Sequence, residues 1–211
     1  MGLQALYDRH LMPRFVTLAC SQGQIMKRRS QVVPLARGRV FELGVGGGLN
    51  QQFYRTGEVT GFAGIDPHEK LLDDARSAAV ERGWNTEIVQ GVGEDIPFPD
   101  RSFDTAVCTY TLCSVDDPQA VLAELRRILK PGGRLLFLEH GRAPDADTAR
   151  WQDRIEPVWK RLAGGCHLTR PIGGSLRQAG FDVEPMGQGY LPKTPRFAGW
   201  MEWGVARKAG A

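Results

Sequence analysis

A glycine-rich segment in the first half of the chain has the residue types of a ligand-binding turn. Residues 42–48 read ELGVGGG and follow a short apolar run. A chain that bends tightly, and that lets a ligand approach its backbone, needs residues without a Cβ. Gly44, Gly46 and Gly48 stand at every second position, whereas a dinucleotide-binding turn of the form GxGxxG would carry Gly or Ala where this chain has Leu49. The spacing therefore disfavours NAD and FAD.

Two carboxylates accompany this turn. Glu42 precedes it directly, where a carboxylate can orient an ammonium group, and the alternative is a buried, paired acid. Asp66 ends the second predicted strand, where it can accept hydrogen bonds from both hydroxyls of a ribose. Its alternative is an N-cap, since Pro67 follows and a helix begins. A helix after the glycine turn would also offer N–H groups to a carboxylate. Together these features favour S-adenosyl-L-methionine (SAM), which carries an ammonium, a ribose and a carboxylate.

Histidine and cysteine supply the other reactive side chains. His140 ends the fifth predicted strand and His167 lies in a later loop; each could act as a base, or serve as a backbone-bonded or surface residue. We predict Cys113 and Cys166 as small apolar wall residues, because a thiol beside a methyl donor risks methylation. The four cysteines show no CxxC pair and no zinc spacing, so we predict no metal site and reduced thiols in a cytoplasmic protein.

Alternating strands and helices must position these residues. Short apolar runs predict strands at residues 39–44, 59–66, 86–90, 103–111 and 135–139. Apolar spacings of three and four predict helices at residues 69–82 and from Pro118 to the turn Pro131-Gly132-Gly133. Two further strands, at residues 181–184 and 200–207, have no predicted helix between them and indicate an antiparallel hairpin. We therefore predict an α/β fold with a doubly wound, mostly parallel seven-stranded sheet.

The chain length of 211 residues predicts one structural domain, with a helical cap at residues 1–38 and the SAM-binding part at residues 39–211. The cap should contain an amphipathic helix interrupted at Pro13 and a basic helix at residues 21–33, with Lys27, Arg28 and Arg29 exposed. A net charge of +3 is too small to indicate nucleic-acid binding. Apolar runs fall short of the roughly 18–20 residues that span a bilayer, and contact with a membrane surface is left open.

Four ordered blocks resemble the class I SAM-dependent methyltransferases. They read ELGVGGG at residues 42–48, IDP at 65–67, IPFPDRSFD at 96–104 and LKPGGR at 129–134. The resemblance implies a Rossmann-like methyltransferase fold and SAM as methyl donor. By position it implies cofactor contacts from the following residues: Glu42, Gly44, Gly46, Gly48, Asp66, Pro67, Gly93, Glu94 and Thr109.

One position departs from the family pattern. Many members hold adenine with an acidic residue followed by a small one after the third strand, whereas this chain reads GVGE at residues 91–94. Val92 has no side-chain acceptor for the adenine amino group. We therefore assign the adenine contact to the Gly93 N–H and the Glu94 side chain.

A narrower resemblance concerns residues 108–115, 138–140 and 151–170. These blocks are similar to the methyltransferase-like group that contains animal alkyl-thiol methyltransferases. Those enzymes begin with a membrane-embedded segment that this sequence does not show. The block at residues 151–170 and the N-terminal cap contain aromatic residues and could cover an acceptor pocket; ordinary packing on the sheet is the alternative.

We expect methyl transfer to a small, lipophilic acceptor, with a thiol sulfur as the first candidate. Residues 109–114 should face the methyl group, and they contain neither an acid nor a histidine. A thiol with a pKa near about 8.5 needs little help from a base. The alternatives are a phospholipid amine, a quinone-like ring carbon, a non-catalytic SAM-binding module and, least favoured, an NAD-dependent oxidoreductase. The sequence leaves the acceptor and the oligomeric state open.

Overall fold

The computed structural model describes residue 18 and residues 20–208. Its strands are β1 (Gly38–Leu43), β2 (Val59–Asp66), β3 (Thr86–Gln90), β4 (Phe103–Thr109), β5 (Leu129–His140), β6 (Phe181–Tyr190) and β7 (Trp200–Lys208). Its helices are α1 (Gly23–Val32), α2 (Glu69–Glu81), α3 (Pro118–Ile128), α4 (Ala146–Leu162), α5 (Ile172–Gln178) and α6 (Arg196–Gly199). Short 3₁₀ helices occupy Val33–Leu35 and Gln51–Phe53.

All seven strands form one sheet in the order β3-β2-β1-β4-β5-β7-β6. Strands β1 to β5 are parallel, β7 is antiparallel to β5, and β6 is antiparallel to β7. The predicted doubly wound sheet with a C-terminal hairpin is therefore confirmed. The strand order reverses between β1 and β4, so a crevice opens beyond their carboxyl ends, which is where ligands bind in such sheets.

The apolar faces of the helices explain why the sheet is covered on both sides. Helix α3 buries Val121, Leu122, Leu125 and Ile128 in a cluster that also contains residues of α5. Helix α2 buries apolar residues, including Leu72, in a second cluster that also contains Val32 of α1. Each set repeats at the three- and four-residue spacing that places side chains on one helix face. The two clusters therefore pack helices against both faces of the sheet.

Three local predictions were wrong. Helix α3 ends at Ile128, and β5 begins at once with Leu129 paired to Phe103. The turn at residues 131–133 is thus a bulge inside β5, with Gly132 at φ +73°, rather than a separate helix stop. The glycine-rich turn leads into the 3₁₀ helix Gln51–Phe53 and not into an α-helix. The hairpin connection contains the four-residue helix α6.

Strand β4 is also shorter than predicted. It ends at Thr109 because Tyr110 adopts φ +57°, a left-handed conformation that cannot continue a strand. The chain therefore leaves the sheet at the crevice and enters the segment at residues 110–115, which we call the acceptor loop.

The basic helix of the cap lies where it was predicted, but of its three residues predicted to be exposed, Arg28 is half-buried and Arg29 is buried. Lys27 is exposed and Arg28 places its guanidinium 4.2 Å from the centre of the Trp203 ring. Arg29 is only 5% exposed, because it points into the crevice. The predicted helix interrupted at Pro13 lies outside the described residues. Among the residues that the structure describes, no helix combines the length and the hydropathy needed to cross a bilayer.

Helix α2 offers a test of this packing. Leu72 is fully buried, whereas Val80 on the same helix is 69% exposed. Leu72→Ala should lower the free energy of unfolding by about 2–5 kcal/mol, because it removes buried methyl groups and leaves a cavity. Val80→Ala should change it by less than about 0.5 kcal/mol. Urea unfolding of both variants measures the difference, and equal effects would contradict the assignment of the buried face.

Candidate active site

The glycine turn is held at the end of β2, and its three alternating glycines have different surroundings. The N–H groups of Gly44 and Val45 donate to the carbonyl of Ile65. A Cβ on Gly44 would stand 2.2 Å from the Thr111 hydroxyl, and one on Gly48 would stand 3.2 Å from the Cα of Ala75. A Cβ on Gly46 would meet no atom within 4 Å. Gly44 and Gly48 therefore let the turn pack closely against Thr111 and Ala75, while the Gly46 backbone faces open space.

Asp66 lies beside this open backbone. Its Oδ2 accepts the Gly46 N–H at 3.0 Å, and its Oδ1 accepts the His68 N–H at 2.9 Å. The hydrogen bond from the His68 ring to Asp66 raises the pKa of His68. Helix α2 has its N-cap at His68 without a side-chain cap, so the N-cap alternative for Asp66 was wrong. Pro67 is exposed, and its carbonyl accepts a hydrogen bond from the Gln90 side chain.

Glu42 is buried on the other side of the turn. The Tyr54 hydroxyl donates to its Oε2 at 2.7 Å, and the Asn50 amide donates to its Oε1 at 2.9 Å. Burial raises the pKa of Glu42 to about 7, against the opposing hydrogen bonds and the positive charge of Arg29. The carboxyl group is thus half-ionised near neutral pH, and a neighbouring cation would favour its anionic form.

Arg29 connects the cap to this group. Its Nη1 donates to the Asn50 side-chain oxygen and to the Thr109 hydroxyl, each at 2.6 Å. The Thr109 hydroxyl also accepts from the Asn50 amide at 2.9 Å. The guanidinium lies 5.0 Å from the centre of the Tyr110 ring. One hydrogen-bonded network therefore joins α1, the glycine turn and the ends of β1 and β4.

The loop after β3 carries the two residues predicted to hold adenine. Gly93 is buried against Leu43 and Val121, where a Cβ would stand 3.0 Å from both side chains. The Oε1 atom of Glu94 accepts the N–H groups of Asp116 and Asp117 at 3.0 and 3.1 Å. Glu94 thus ties this loop to the start of α3. A contact between Glu94 and adenine stays a prediction, and that contact would have to be made by the Oε2 atom.

A buried carboxylate shapes the acceptor loop. Glu139 of β5 is fully buried, and its oxygens accept the N–H groups of Thr111, Leu112 and Cys113 at 3.0–3.2 Å. Burial raises the pKa of Glu139. The Cys108 thiol lies 3.2 Å from the same carboxylate. The loop backbone therefore wraps around one carboxylate, which fixes its path past the crevice.

A second loop, residues 163–171, lies against the acceptor loop. The His167 N–H donates to the Cys113 carbonyl at 2.8 Å. The Arg170 guanidinium donates to the carbonyls of Leu112 and Val115, both at 2.6 Å. A Cβ on Gly165 would stand 3.2 Å from the Ser114 carbonyl oxygen, and Gly165 has φ +82°. We call residues 163–171 the covering loop, since its backbone is bonded directly to the acceptor loop.

The two predicted histidines lie in different surroundings. His140 is 6% exposed at the end of β5, with its Nδ1 3.5 Å from the Cys166 sulfur. Its Nε2 is buried and has no hydrogen-bond partner among the described residues. His167 places its Nδ1 2.9 Å from Glu156 of α4, whose other oxygen accepts the Thr169 N–H. His140 is therefore buried against Cys166 of the covering loop, whereas His167 is held by an acid that also anchors that loop.

The cysteines are not simple apolar wall residues, so that part of the sequence interpretation was incomplete. The sulfurs of Cys113 and Cys166 lie 3.7 Å apart, and both cysteines are free. The hydrogen bond with Cys113 and the neighbouring His140 hold the pKa of Cys166 well below its usual range. The same contact, together with burial, raises the pKa of Cys113. The two sulfurs thus form one close pair beside His140.

Comparison with known proteins places this arrangement in a family. Residues 41–137 match the family model of a methyltransferase domain. The chain is 40% identical over 191 residues to thiol S-methyltransferase TMT1B of Rattus norvegicus. This match covers 85% of this chain and 74% of the relative. The chain is a class I SAM-dependent methyltransferase. It belongs to the group that contains the thiol S-methyltransferases, and SAM is its methyl donor.

Two further matches agree with this assignment. Thiol S-methyltransferase TMT1B of Homo sapiens is 41% identical over 175 residues, which cover 78% of this chain and 71% of the relative. The crystal structure of a SAM-dependent methyltransferase from Thermotoga maritima superposes with a TM-score of 0.63 at 24% identity, covering 95% of this chain and 99% of that one. The structural match supports the fold, and neither match supports the oxidoreductase alternative.

The crevice of this methyltransferase fits SAM. The Gly46 backbone borders free space, and a Cβ there would project into that space. Asp66 lies beside it with a carboxylate able to accept further hydrogen bonds, and Glu42 supplies a second carboxylate deeper in the crevice. Hydrogen-bond acceptors of this kind match the hydroxyl and ammonium groups of the cofactor.

Sequence reasoning missed three residues that build this site. Arg29 shares one helix face with Ile25 and Val33, and this four-residue spacing was the available sign that it points inward. Glu139 is the one acid in the apolar run LLFLE at residues 135–139, which is typical of a buried, bonded carboxylate. Arg170 gave no signal, because its acceptors are backbone carbonyls of a distant loop.

The raised pKa of Glu42 predicts a pH-dependent stability. The folded state binds this proton more tightly than the unfolded state, whose pKa is near the ordinary 4.5. The stabilising contribution is therefore present below pH 4.5 and is lost as the pH rises through about 7. Glu42→Gln mimics the protonated acid, so the stability of wild type relative to this variant should fall by about 3 kcal/mol between pH 4.5 and pH 8.

Urea unfolding of both proteins across this range measures that difference. Glu81→Gln, which replaces an exposed acid at the end of α2, is the matched control and should give a flat difference. A flat difference for Glu42→Gln as well would contradict a pKa of Glu42 that burial raises above its usual value.

Proposed function

We propose that this methyltransferase transfers the methyl group of SAM to the sulfur of a small thiol. The observation that carries the proposal is the extent of its similarity to a thiol S-methyltransferase. A match over 85% of a 211-residue chain necessarily includes residues 151–170, whereas the general methyltransferase model ends at residue 137. Those additional residues contain most of the covering loop, which lies on the acceptor side of the crevice.

The chemistry of the crevice agrees with a soft nucleophile. When bound, SAM supplies an electrophilic sulfonium methyl, so the protein has only to hold the acceptor in line and to exclude water. The side chains at residues 109–114 contain no carboxylate and no imidazole. A hydroxyl or ammonium acceptor would need a positioned base, whereas a thiol at neutral pH is already a few per cent thiolate.

The cofactor roles that we propose follow the geometry of the turn. Glu42 would bind the ammonium end, and Asp66 would accept hydrogen bonds from the ribose. Gly46 would lie against the ligand, while Gly44 and Gly48 keep the turn seated. The remaining predicted contacts, from the loops and strand ends that border the crevice, are retained as proposals: Pro67, Gly93, Glu94 and Thr109.

The histidines have separate proposed roles. His140 lies at the acceptor side of the crevice, where it would contact the acceptor or a group that binds it. His167 bonds Glu156, and its backbone bonds Cys113, so we propose that it positions the covering loop. A lipophilic acceptor, a cytoplasmic location and a division into a cap at residues 1–38 and a domain at residues 39–211 also stay predictions.

Asp66→Ala tests the cofactor site. The variant removes the two charge-assisted hydrogen bonds that we propose between Asp66 and the ribose hydroxyls. The binding of S-adenosylhomocysteine should therefore weaken at least about 100-fold. Isothermal titration calorimetry measures the affinity, and thermal unfolding checks that the variant is folded. Asp73→Ala removes an exposed carboxylate from α2 and should bind like wild type. Wild-type affinity in Asp66→Ala would refute the ribose assignment.

A panel of acceptors tests the reaction. Purified protein with labelled SAM should methylate small alkyl thiols, and the rate should rise with pH as the acceptor thiol ionises. Matched alcohols and amines with the same carbon chain are the controls and should give no product. Product from amines or phenols alone would refute the thiol assignment. Binding of S-adenosylhomocysteine without any methylated product would favour a non-catalytic module.

A further inference from the structure

Three potential metal ligands meet at the acceptor side of the crevice. The ligand atoms of Cys113, His140 and Cys166 all lie within 4.8 Å of one another. They come from the acceptor loop, the end of β5 and the covering loop, so only the folded chain brings them together. Cys113 and His140 are buried, and the Nδ1 atom of His140 is the ring nitrogen that faces the Cys166 sulfur. The other ring nitrogen, Nε2, is buried and has no hydrogen-bond partner among the described residues.

Two of the three distances between these ligand atoms match those around one tetrahedral ion, and the third is no longer than 4.8 Å. Zn–S bonds of about 2.3 Å and Zn–N bonds of about 2.0–2.1 Å place two thiolates about 3.8 Å apart, and a thiolate and an imidazole nitrogen about 3.5 Å apart. The observed distances are 3.7 Å between the two sulfurs and 3.5 Å between Cys166 Sγ and His140 Nδ1. A disulfide would need about 2.05 Å between the sulfurs.

We infer that Cys113, Cys166 and His140 bind one zinc ion and leave its fourth position for the acceptor. Sulfur and imidazole ligands suit zinc, and three protein ligands with one open position are typical of catalytic rather than structural zinc sites. The two cysteines would bind as thiolates, and their negative charges would balance the charge of Zn²⁺. Sequence analysis predicted no metal site, because these three ligands are far apart along the chain and form no linear motif.

The surrounding bonds hold the ligands in place. The Cys113 N–H donates to Glu139, and the Cys113 carbonyl accepts the His167 N–H from the residue after Cys166. Arg170 bonds two further carbonyls of the acceptor loop. The two loops that supply the sulfurs are therefore fixed to each other without the metal, as a preformed site requires.

The role of the fourth position rests on the proposed thiol methylation. The acceptor thiol would give its proton to solvent on binding zinc and would remain there as a thiolate, since a coordinating thiol is deprotonated. A C–S bond then forms between this sulfur and the methyl carbon. The methyl–sulfur bond of the donor breaks, and its electron pair stays on the sulfur of S-adenosylhomocysteine. The product is a neutral thioether, which binds zinc weakly and can leave.

Metal content tests the site independently of the reaction. Wild type and three variants, Cys113→Ser, Cys166→Ser and His140→Ala, are equilibrated with zinc sulfate, desalted and analysed by mass spectrometry. Wild type should retain one zinc per chain. Each variant should lose more zinc affinity than the roughly 10–100-fold expected when a residue that only contacts a metal ligand is changed. Each variant should still bind S-adenosylhomocysteine.

Cys20→Ser is the matched control. Burial and the nearby Cys166 raise the pKa of Cys20, so Cys20 lies close to the site, but it is outside the group of three ligands. The proposal requires Cys20→Ser to keep its zinc. Loss of zinc in this variant would indicate a closed site with four protein ligands and would overturn the open fourth position.

Cobalt substitution tests the fourth position directly. An alkyl thiol added to the Co²⁺ protein should change the thiolate-to-metal absorption, whereas the matched alcohol should not. An unchanged spectrum would overturn thiol binding at the metal. Wild type that methylates thiols without zinc, or that holds a Cys113–Cys166 disulfide in its place, would overturn the site while the proposed function stands. Zinc binding without thiol methylation would support the site and refute the function.

Discussion

The arrangement of the crevice depends on one buried carboxylate. Glu139 accepts three successive backbone N–H groups of the acceptor loop and is shielded from water. Those N–H groups have no strand or helix partner once the chain leaves β4 at Tyr110, so an acceptor within β5 is needed to satisfy them. The loop in turn provides the carbonyls to which Arg170 and His167 bind the covering loop. Both loops thus depend on an acid in the adjacent strand.

The two buried acids of the site have different environments. Glu139 accepts hydrogen bonds from several backbone N–H groups, as expected of an acid whose role is structural. Glu42 receives only two side-chain hydrogen bonds and has a pKa near neutrality, at about 7. An acid that is poorly compensated in the free protein gains most from a cationic ligand. Glu139 therefore fixes the path of the acceptor loop, whereas the environment of Glu42 agrees with the ligand-binding role that we propose for it.

The regular part of the fold could be predicted from local patterns. The spans of β2 and β3 and the buried faces of α2 and α3 follow from strand runs and helical spacing, because these features are set by neighbouring residues. The bulge at residues 131–133 could not be predicted, because Pro and Gly are as typical of the end of a helix as of a distorted strand. The site was predicted only where motifs are contiguous, as in the glycine turn. The group formed by Cys113, His140 and Cys166 depends on contacts between three distant segments, and its spacing matches no linear motif.

The bonds from Arg29 have a consequence for the N-terminal segment. This arginine belongs to α1, yet its hydrogen bonds end on Asn50 and Thr109 in the floor of the crevice. Any ligand that orders Asn50 or Glu42 must then also favour the docked position of α1. Any contact that displaces α1 must weaken the binding of that ligand by the same factor. By this reciprocity, contacts made by the outer face of α1 are coupled to the affinity of any ligand that binds Asn50 or Glu42.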